Sequence, residues 1–270
     1  MKAAATAIDF PIQDNHAFKE QALAQSSMKL EIDAPLEPAF LAEFQEQSAG
    51  LSPVEEDLDQ NPCLSWFHRR KNSATLSTRL AIRILDVSIS LMALFLLLPA
   101  WILIALALRM ETPGPVIFRQ RRTGLDGLGF SMFKFRSMLH TNEREALRLT
   151  RQGDGRITRV GAFLRRYRLD ETPQFINVLR GEMSIVGPRP EMPAMVEFAR
   201  RRIHNYDQRH QELPGITGLA QIINGYDGNL DGLRRTAALD RHYVRHLSLL
   251  NYLGILLRTV PTVLLCRGAV

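Results

Sequence analysis

A chain of 270 residues, 46% hydrophobic and 23% charged, has room for one or two domains with a sizeable core, and its composition fits neither bulk disorder nor a multi-spanning membrane protein. The net charge of +6 hides a split: residues 1–66 carry three cations and twelve anions, whereas residues 67–270 carry 31 cations and 16 anions. Such asymmetry marks an acidic arm beside a domain suited to an anionic partner, whether nucleic acid, a phosphorylated metabolite or an anionic membrane surface.

In chain order, residues 1–66 are polar and acidic, with prolines at 11, 35, 38, 53 and 62. They offer little to bury, which predicts a largely disordered arm with a short helix near Ala34–Gln47. No basic start followed by an apolar run opens the chain, so no secretory signal is expected. Cys63 and Cys266 stand alone, without CxxC or Cys/His clustering, which argues against a disulfide scaffold or structural zinc and suits the cytoplasm. A basic bridge follows (Arg69, Arg70, Lys71, Arg79, Arg83). Arm and bridge are assigned to residues 1–76, a membrane segment to 77–110, and a folded domain to 111–270.

The membrane segment rests on Val87–Leu108, 22 residues without a charge. As a helix this run is long enough to cross a hydrocarbon core of roughly 30 Å. Two details argue against a simple span. Pro99 sits in its middle, where it removes a backbone donor and kinks the helix. Both flanks are cationic (Arg79 and Arg83 before; Arg109, Arg119, Arg121 and Arg122 after), and positive charge favours the cytoplasmic side. A helix that enters, breaks at Leu98–Pro99 and returns satisfies both observations, with arms of roughly 15–18 Å. A Pro-kinked single span stays open as the alternative.

Residues 111–270 read as an α/β (α+β) domain lying against that anchor. Pro115–Met138 has the pattern of a hairpin turning at a Gly-rich loop. Thr158–Leu169 predicts a basic amphipathic helix with Arg159, Arg165, Arg166 and Arg168 outward and Val160, Phe163 and Leu164 inward, suited to lipid headgroups or to ordinary solvent. A further helix is expected from Asp170 to Arg180, stopped by Gly181. Leu239–Leu265 is apolar but interrupted by arginines, so it is read as interfacial or packed in the domain.

The densest chemistry lies in residues 163–190. Asp170 and Glu171 are adjacent carboxylates at an expected helix start, and helix neighbours point about 100° apart, so two different jobs follow more naturally than one shared proton. One could attack while the other holds a divalent metal. Arg165, Arg166 and Arg168 lie just upstream, able to grip phosphate oxygens. The same pair also serves as an ordinary helix start, Asp170 as N-cap and Glu171 against the dipole, and the residues alone leave both readings open. Gly187-Pro188-Arg189-Pro190 is a stiff turn that fixes one arginine.

In these blocks the sequence resembles the bacterial sugar transferase family, the monotopic phosphoglycosyl transferases, over about residues 77–265. The resemblance is carried by RxxD at Arg83–Asp86, PVIFRQRRTG at Pro115–Gly124, KFRSM at Lys134–Met138, LDETPQFINVLRGEMSIVGPRP at Leu169–Pro190, PGITGLAQ at Pro214–Gln221 and LDRHYV at Leu239–Val244. It implies transfer of a sugar 1-phosphate from a UDP-sugar to undecaprenyl phosphate at the cytoplasmic face of the bacterial inner membrane, with UMP released, as the first step of an exopolysaccharide, capsule or O-antigen-type glycan. Asp170 matches the nucleophile that carries the phosphosugar and Glu171 the carboxylate associated with Mg²⁺. Arg165 and Lys134 match cationic positions near the phosphates, and Pro99 matches the break in a re-entrant helix. Arg189 with Pro188 and Pro190 matches the nucleotide-binding turn. Gln120, Arg122, Arg136 and Gln221, within the matching blocks, are further expected substrate contacts. The implied partners are the UDP-sugar, undecaprenyl phosphate, membrane lipids and downstream glycosyltransferases.

The match has departures. Leu98 stands where the family often has Ser before the helix-breaking proline. After PGITG, Leu219 replaces a usual Trp, one residue is added, and Tyr226 stands where Arg is usual, which bears on substrate preference if this loop touches nucleotide or sugar. A membrane-anchored binding or scaffold protein without turnover is the alternative, and the intact Asp170–Glu171 pair argues against it. A nucleic-acid binder has no supporting motif. The GLDGLG run at Gly124–Gly129 lies between strands rather than before a helix, so it is not a dinucleotide loop.

Overall fold

The computed structural model describes residues 58, 62–68, 74–139, 154–224 and 230–264. The expected helix near 34–47 and Tyr226 lie outside the described residues.

The long apolar run forms α1 (Leu76–Glu111), 36 residues with Pro99 inside it. Thr75 caps its start, its hydroxyl accepting from the Thr78 N–H at 3.3 Å. Pro113 follows the extended Thr112 and prevents continuation. The helical assignment continues on both sides of Pro99. Large apolar side chains stay exposed along it, among them Leu91, Met92, Phe95, Leu96, Ile102 and Leu103. Contacts with the rest of the chain occur on both sides of this stretch. Before it, the Arg83 guanidinium donates to the Val178 and Leu179 carbonyls at 2.7 and 3.1 Å, and Asp86 accepts from the Ser184 hydroxyl, the Ile185 N–H and the Tyr252 hydroxyl. After it, Leu108 is buried in a small core with Phe135 and Leu164, against which Trp101 and Ile104 pack.

The expected hairpin is present: β1 (Ile117–Thr123) pairs antiparallel with β2 (Gly129–Phe135), from Ile117 opposite Phe135 to Thr123 opposite Gly129. Its loop turns through Asp126 and Gly127, both with positive φ. α2 (Arg159–Arg166) starts at the Thr158 cap, whose hydroxyl accepts from the Gly161 N–H. Leu164 is buried as expected and Val160 packs beside it, but Phe163 is 56% exposed. The physical reason is Gly161: a Cβ there would collide with the Ser137 carbonyl, so the Gly161 face is the inward one and Phe163, two residues on, points away.

The helix expected from Asp170 begins later. Leu169–Glu171 is a 3₁₀ turn entered through Arg168 in the left-handed region (φ 54°), and α3 covers only Gln174–Leu179. The expected α-helix start at Asp170 is therefore absent. β3 (Ser184–Val186) and β4 (Gly215–Thr217) pair in parallel, with α4 (Pro193–Arg200) between them. α5 (Leu219–Ile223), α6 (Leu230–Arg245) and α7 (Leu249–Leu264) complete the chain. The main core joins α1, α3, β3, α5, α6 and α7 through Ile82, Val178, Ile185, Leu219, Tyr243 and Tyr252. The last part of the arm departs from expectation: Leu58, Leu64 and Phe67 belong to this core, and Asn251 of α7 bonds both the N–H and the carbonyl of His68.

Candidate active site

The reversal at Arg168 folds the 3₁₀ turn back under α2 and buries both carboxylates, leaving Asp170 and Glu171 each 9% exposed. Three segments converge on Glu171. Lys134 of β2 and Arg189 of the Gly-Pro-Arg-Pro turn each donate to Oε1 at 3.1 Å, and Arg168 lies 3.9 Å from Oε2. Burial opposes the Glu171 charge, but Lys134, Arg189 and Arg168 overcome it and hold its pKa well below the usual range. Asp170 behaves oppositely: burial, followed by repulsion from Glu171, raises its pKa against the pull of Lys134, Arg165 and Arg189. Burial also lowers the pKa of Lys134, which Glu171 opposes. Whereas Glu171 is pinned by cations, the Asp170 carboxylate receives no hydrogen bond from the described residues.

The scaffold explains the convergence. Asn177 of α3 accepts from the Phe133 N–H at 3.0 Å and donates to the Ser131 carbonyl at 2.7 Å, which locks the carboxylate turn to the strand bearing Lys134. The turn bearing Arg189 is held from four sides. The Gly215 N–H donates to the Pro188 carbonyl, Arg209 to the Arg189 carbonyl, Arg122 to the Pro190 carbonyl, and the Thr123 N–H to the Glu191 carbonyl. A Cβ on Gly215 would collide with the Gly187 backbone, so the close approach of these segments requires glycine. Arg209 is itself fully buried and bonded to Asp240 at 2.6 Å.

Of the residues singled out in the sequence, Asp170, Glu171, Lys134 and Arg189 meet here, and Arg165 lies close enough to bias Asp170 electrostatically. Gln120 and Arg122 form the adjoining wall, bonded to one another at 2.7 Å, with Arg122 also on the Pro190 carbonyl. Arg136 and Gln221 are not brought into the cluster. The Arg136 guanidinium gathers the Leu108, Thr112 and Pro113 carbonyls at the end of α1, and Gln221 donates to the Ile216 carbonyl. Sequence reasoning missed Asn177, Arg209 and Asp240 as supports; for Asn177 and Asp240 the available signal was a polar residue among apolar helix neighbours, whereas Arg209 lies in a polar run that gives none. It read Arg83 as a cationic flank and Arg83–Asp86 as a matching block, without foreseeing that they tie α1 to α3 and β3.

No group of three or more metal-ligating side chains occurs among the described residues. The adjacent carboxylates suit an ion that completes its shell elsewhere, because Mg²⁺ takes one or two carboxylates together with phosphate oxygens and water.

The pattern of the bacterial sugar transferase family matches residues 77–266. A UDP-glucose:undecaprenyl-phosphate glucose-1-phosphate transferase of Caulobacter vibrioides is 42% identical over 189 residues, 69% of this chain and 71% of the relative. A UDP-N-acetylgalactosamine-undecaprenyl-phosphate N-acetylgalactosaminephosphotransferase of Aeromonas hydrophila is 39% identical over 68% of this chain. The exopolysaccharide production protein ExoY of Sinorhizobium fredii is 37% identical over 69% of this chain and 87% of its own length. The chain spans only 44% of the Aeromonas relative and 40% of an Escherichia coli one that is 45% identical. The family match takes in every block that builds the carboxylate cluster, and the chain belongs to the bacterial sugar transferase family.

Proposed function

We propose that the chain transfers a sugar 1-phosphate from a UDP-sugar to undecaprenyl phosphate through a phosphosugar carried on Asp170, in the cytoplasmic leaflet of a bacterial inner membrane. The relatives' names support the substrate classes. The observation that carries the mechanism is the asymmetry of the pair: Glu171 is pinned by cations, whereas Asp170 is buried, desolvated and without a hydrogen bond to its carboxylate among the described residues. A desolvated carboxylate is a stronger nucleophile than a hydrated one.

An Asp170 oxygen attacks the β-phosphorus of the UDP-sugar. The bond from that phosphorus to the bridging oxygen breaks, UMP leaves with the electron pair, and an acyl phosphate of the sugar remains. A phosphate oxygen of undecaprenyl phosphate then attacks the same phosphorus and Asp170 departs as a carboxylate, giving the undecaprenyl diphosphate sugar. Lys134, Arg189 and Arg165 offset the repulsion between carboxylate and diphosphate. Glu171 holds Lys134 and Arg189 in place and would hold Mg²⁺ together with the substrate's phosphates. Bound there, Mg²⁺ would neutralise charge on the diphosphate oxygens. Downstream glycosyltransferases are the proposed consumers of the product.

The membrane reading is a helix bent at Pro99 with both arms returning to the domain. A straight helix would place Arg83 and Trp101 about 27 Å apart. Yet Arg83 bonds Val178 and Leu179 while Trp101 bonds Thr172, and the six residue steps from Thr172 to Val178 span only about 9 Å at helical rise. A bend reconciles these contacts and leaves the exposed apolar stretch between them for lipid. Single cysteines placed on both sides of residues 87–108, in a chain lacking Cys63 and Cys266, should label only from the cytoplasmic side; labelling of one flank from outside would establish a span instead. For the reaction, UMP release across a panel of UDP-sugars with polyprenyl phosphate present should single out a donor. No release with any donor would favour a scaffold without turnover.

A further inference from the structure

We infer that Trp101 and Thr172 form a strut that sets the position of Asp170 from within the membrane segment, so that both are positioning residues for the transfer. The inference rests on the reading of Asp170 as the nucleophile.

Trp101 lies two residues past Pro99 in α1, and its indole N–H donates to the Thr172 hydroxyl at 3.0 Å. That hydroxyl in turn donates to the Leu169 carbonyl at 2.8 Å, the same oxygen that receives the Thr172 backbone N–H at 3.2 Å. Leu169 and Thr172 bracket the 3₁₀ turn holding Asp170 and Glu171, so these two bonds close the turn. A hydroxyl that accepts from Trp101 has its own hydrogen directed to Leu169 and is a better donor for being polarised. The indole is fixed in turn: it stands edge-on to Phe135 at 5.4 Å between ring centroids, and it packs in the same small core as Leu169. Phe135 is next to Lys134, so one side chain from the membrane helix braces both the carboxylate turn and the strand of its cationic partner. The Asp170 carboxylate receives no hydrogen bond from the described residues, and the geometry of its turn is what aims it. Glu171 has its own partners and needs no such support. Tryptophan also prefers the boundary between water and hydrocarbon, where one edge is apolar and the N–H finds a polar partner. The depth at which α1 sits in lipid therefore bears on the aim of the nucleophile through a single indole.

The test uses the full chain in nanodiscs of phosphatidylethanolamine and phosphatidylglycerol. Trp101→Phe keeps the ring contact with Phe135 and removes the N–H; Thr172→Val keeps the shape and removes the hydroxyl. Each should lower kcat for UMP release about five- to tenfold, with the KM for the UDP-sugar unchanged. Thr172→Ser should restore the rate. The double variant should be no slower than Thr172→Val, because the two residues act through one contact. With ¹⁵N-labelled tryptophan the protein gives two indole signals, and Thr172→Val should move the one that Trp101→Phe removes. Multiplying losses in the double variant, a changed KM with unchanged kcat, or an indole signal indifferent to Thr172→Val would each overturn the strut. The indole readout does not depend on which residue attacks. Turnover by Asp170→Asn would defeat the reading of the nucleophile, whereas an unmoved indole signal would defeat the strut alone.

Discussion

The middle of α1 and the turn at Asp170 invert the usual arrangement in opposite ways. In one, Phe95 is 79% exposed and Leu103 68% exposed; in the other, two carboxylates are 9% exposed. A water-soluble fold covers its large apolar patches and leaves its carboxylates in water. Each inversion carries an energetic penalty: in the turn Lys134, Arg189 and Arg168 offset it for Glu171, whereas the helix has no such cover among the described residues. Arg83, Asp86 and Trp101 join the two regions; in the proposed reaction this joining would bring Asp170 to the depth of a polyprenyl phosphate headgroup.

The sharpest way to break this comparison is to neutralise the turn. Asp170→Asn should lower transfer by at least about a thousandfold, because the amide does not attack; UMP release from vesicles measures it, and substantial turnover would remove Asp170 from the mechanism. The opposite change attacks the helix. Phe95→Asp should shift membrane partition by about a hundredfold, as expected for roughly 2.5–3.5 kcal/mol at a helix centre in lipid, while Gln211→Asp on the exposed domain surface leaves it unchanged. Flotation of vesicles reads both. Glu171→Gln should lower activity about 10- to 100-fold and weaken the dependence on Mg²⁺; an unchanged metal titration would contradict its role.

The smallest expected effect is a displaced pH profile. Burial and the neighbouring Glu171 raise the Asp170 pKa, and the attacking form is the ionised one. The acid limb of kcat/KM for the UDP-sugar should therefore lie at higher pH than an exposed aspartate would give. In Glu171→Gln the like charge is gone and Lys134 and Arg189 lose a competitor, so the limb should move down; a limb that stays in place would mean that another group controls it.

Local pattern carried much of this into the sequence. The hairpin, the apolar run and the meeting of Lys134, Asp170, Glu171 and Arg189 follow from alternation, charge-free length and matching blocks. What escaped depends on contacts between distant segments. Phe163 is turned outward by the approach of Gly161 to Ser137, which no helical period records. The 3₁₀ turn replaces a helix start because Arg168 adopts the left-handed region, a choice made by the packing around it. Arg136 belongs to a motif yet serves the end of α1, since the Leu108, Thr112 and Pro113 carbonyls there take its guanidinium. Leu58 and Leu64 enter the core from an acidic arm whose average composition conceals them.

The central claim, a sugar phosphate carried on Asp170, is tested most directly by intact-mass analysis of the full chain in lipid with UDP-sugar and no acceptor. The account predicts a species heavier by one sugar phosphate that disappears when polyprenyl phosphate is added and never forms in Asp170→Asn. Unmodified protein throughout, together with single-displacement kinetics, would contradict it.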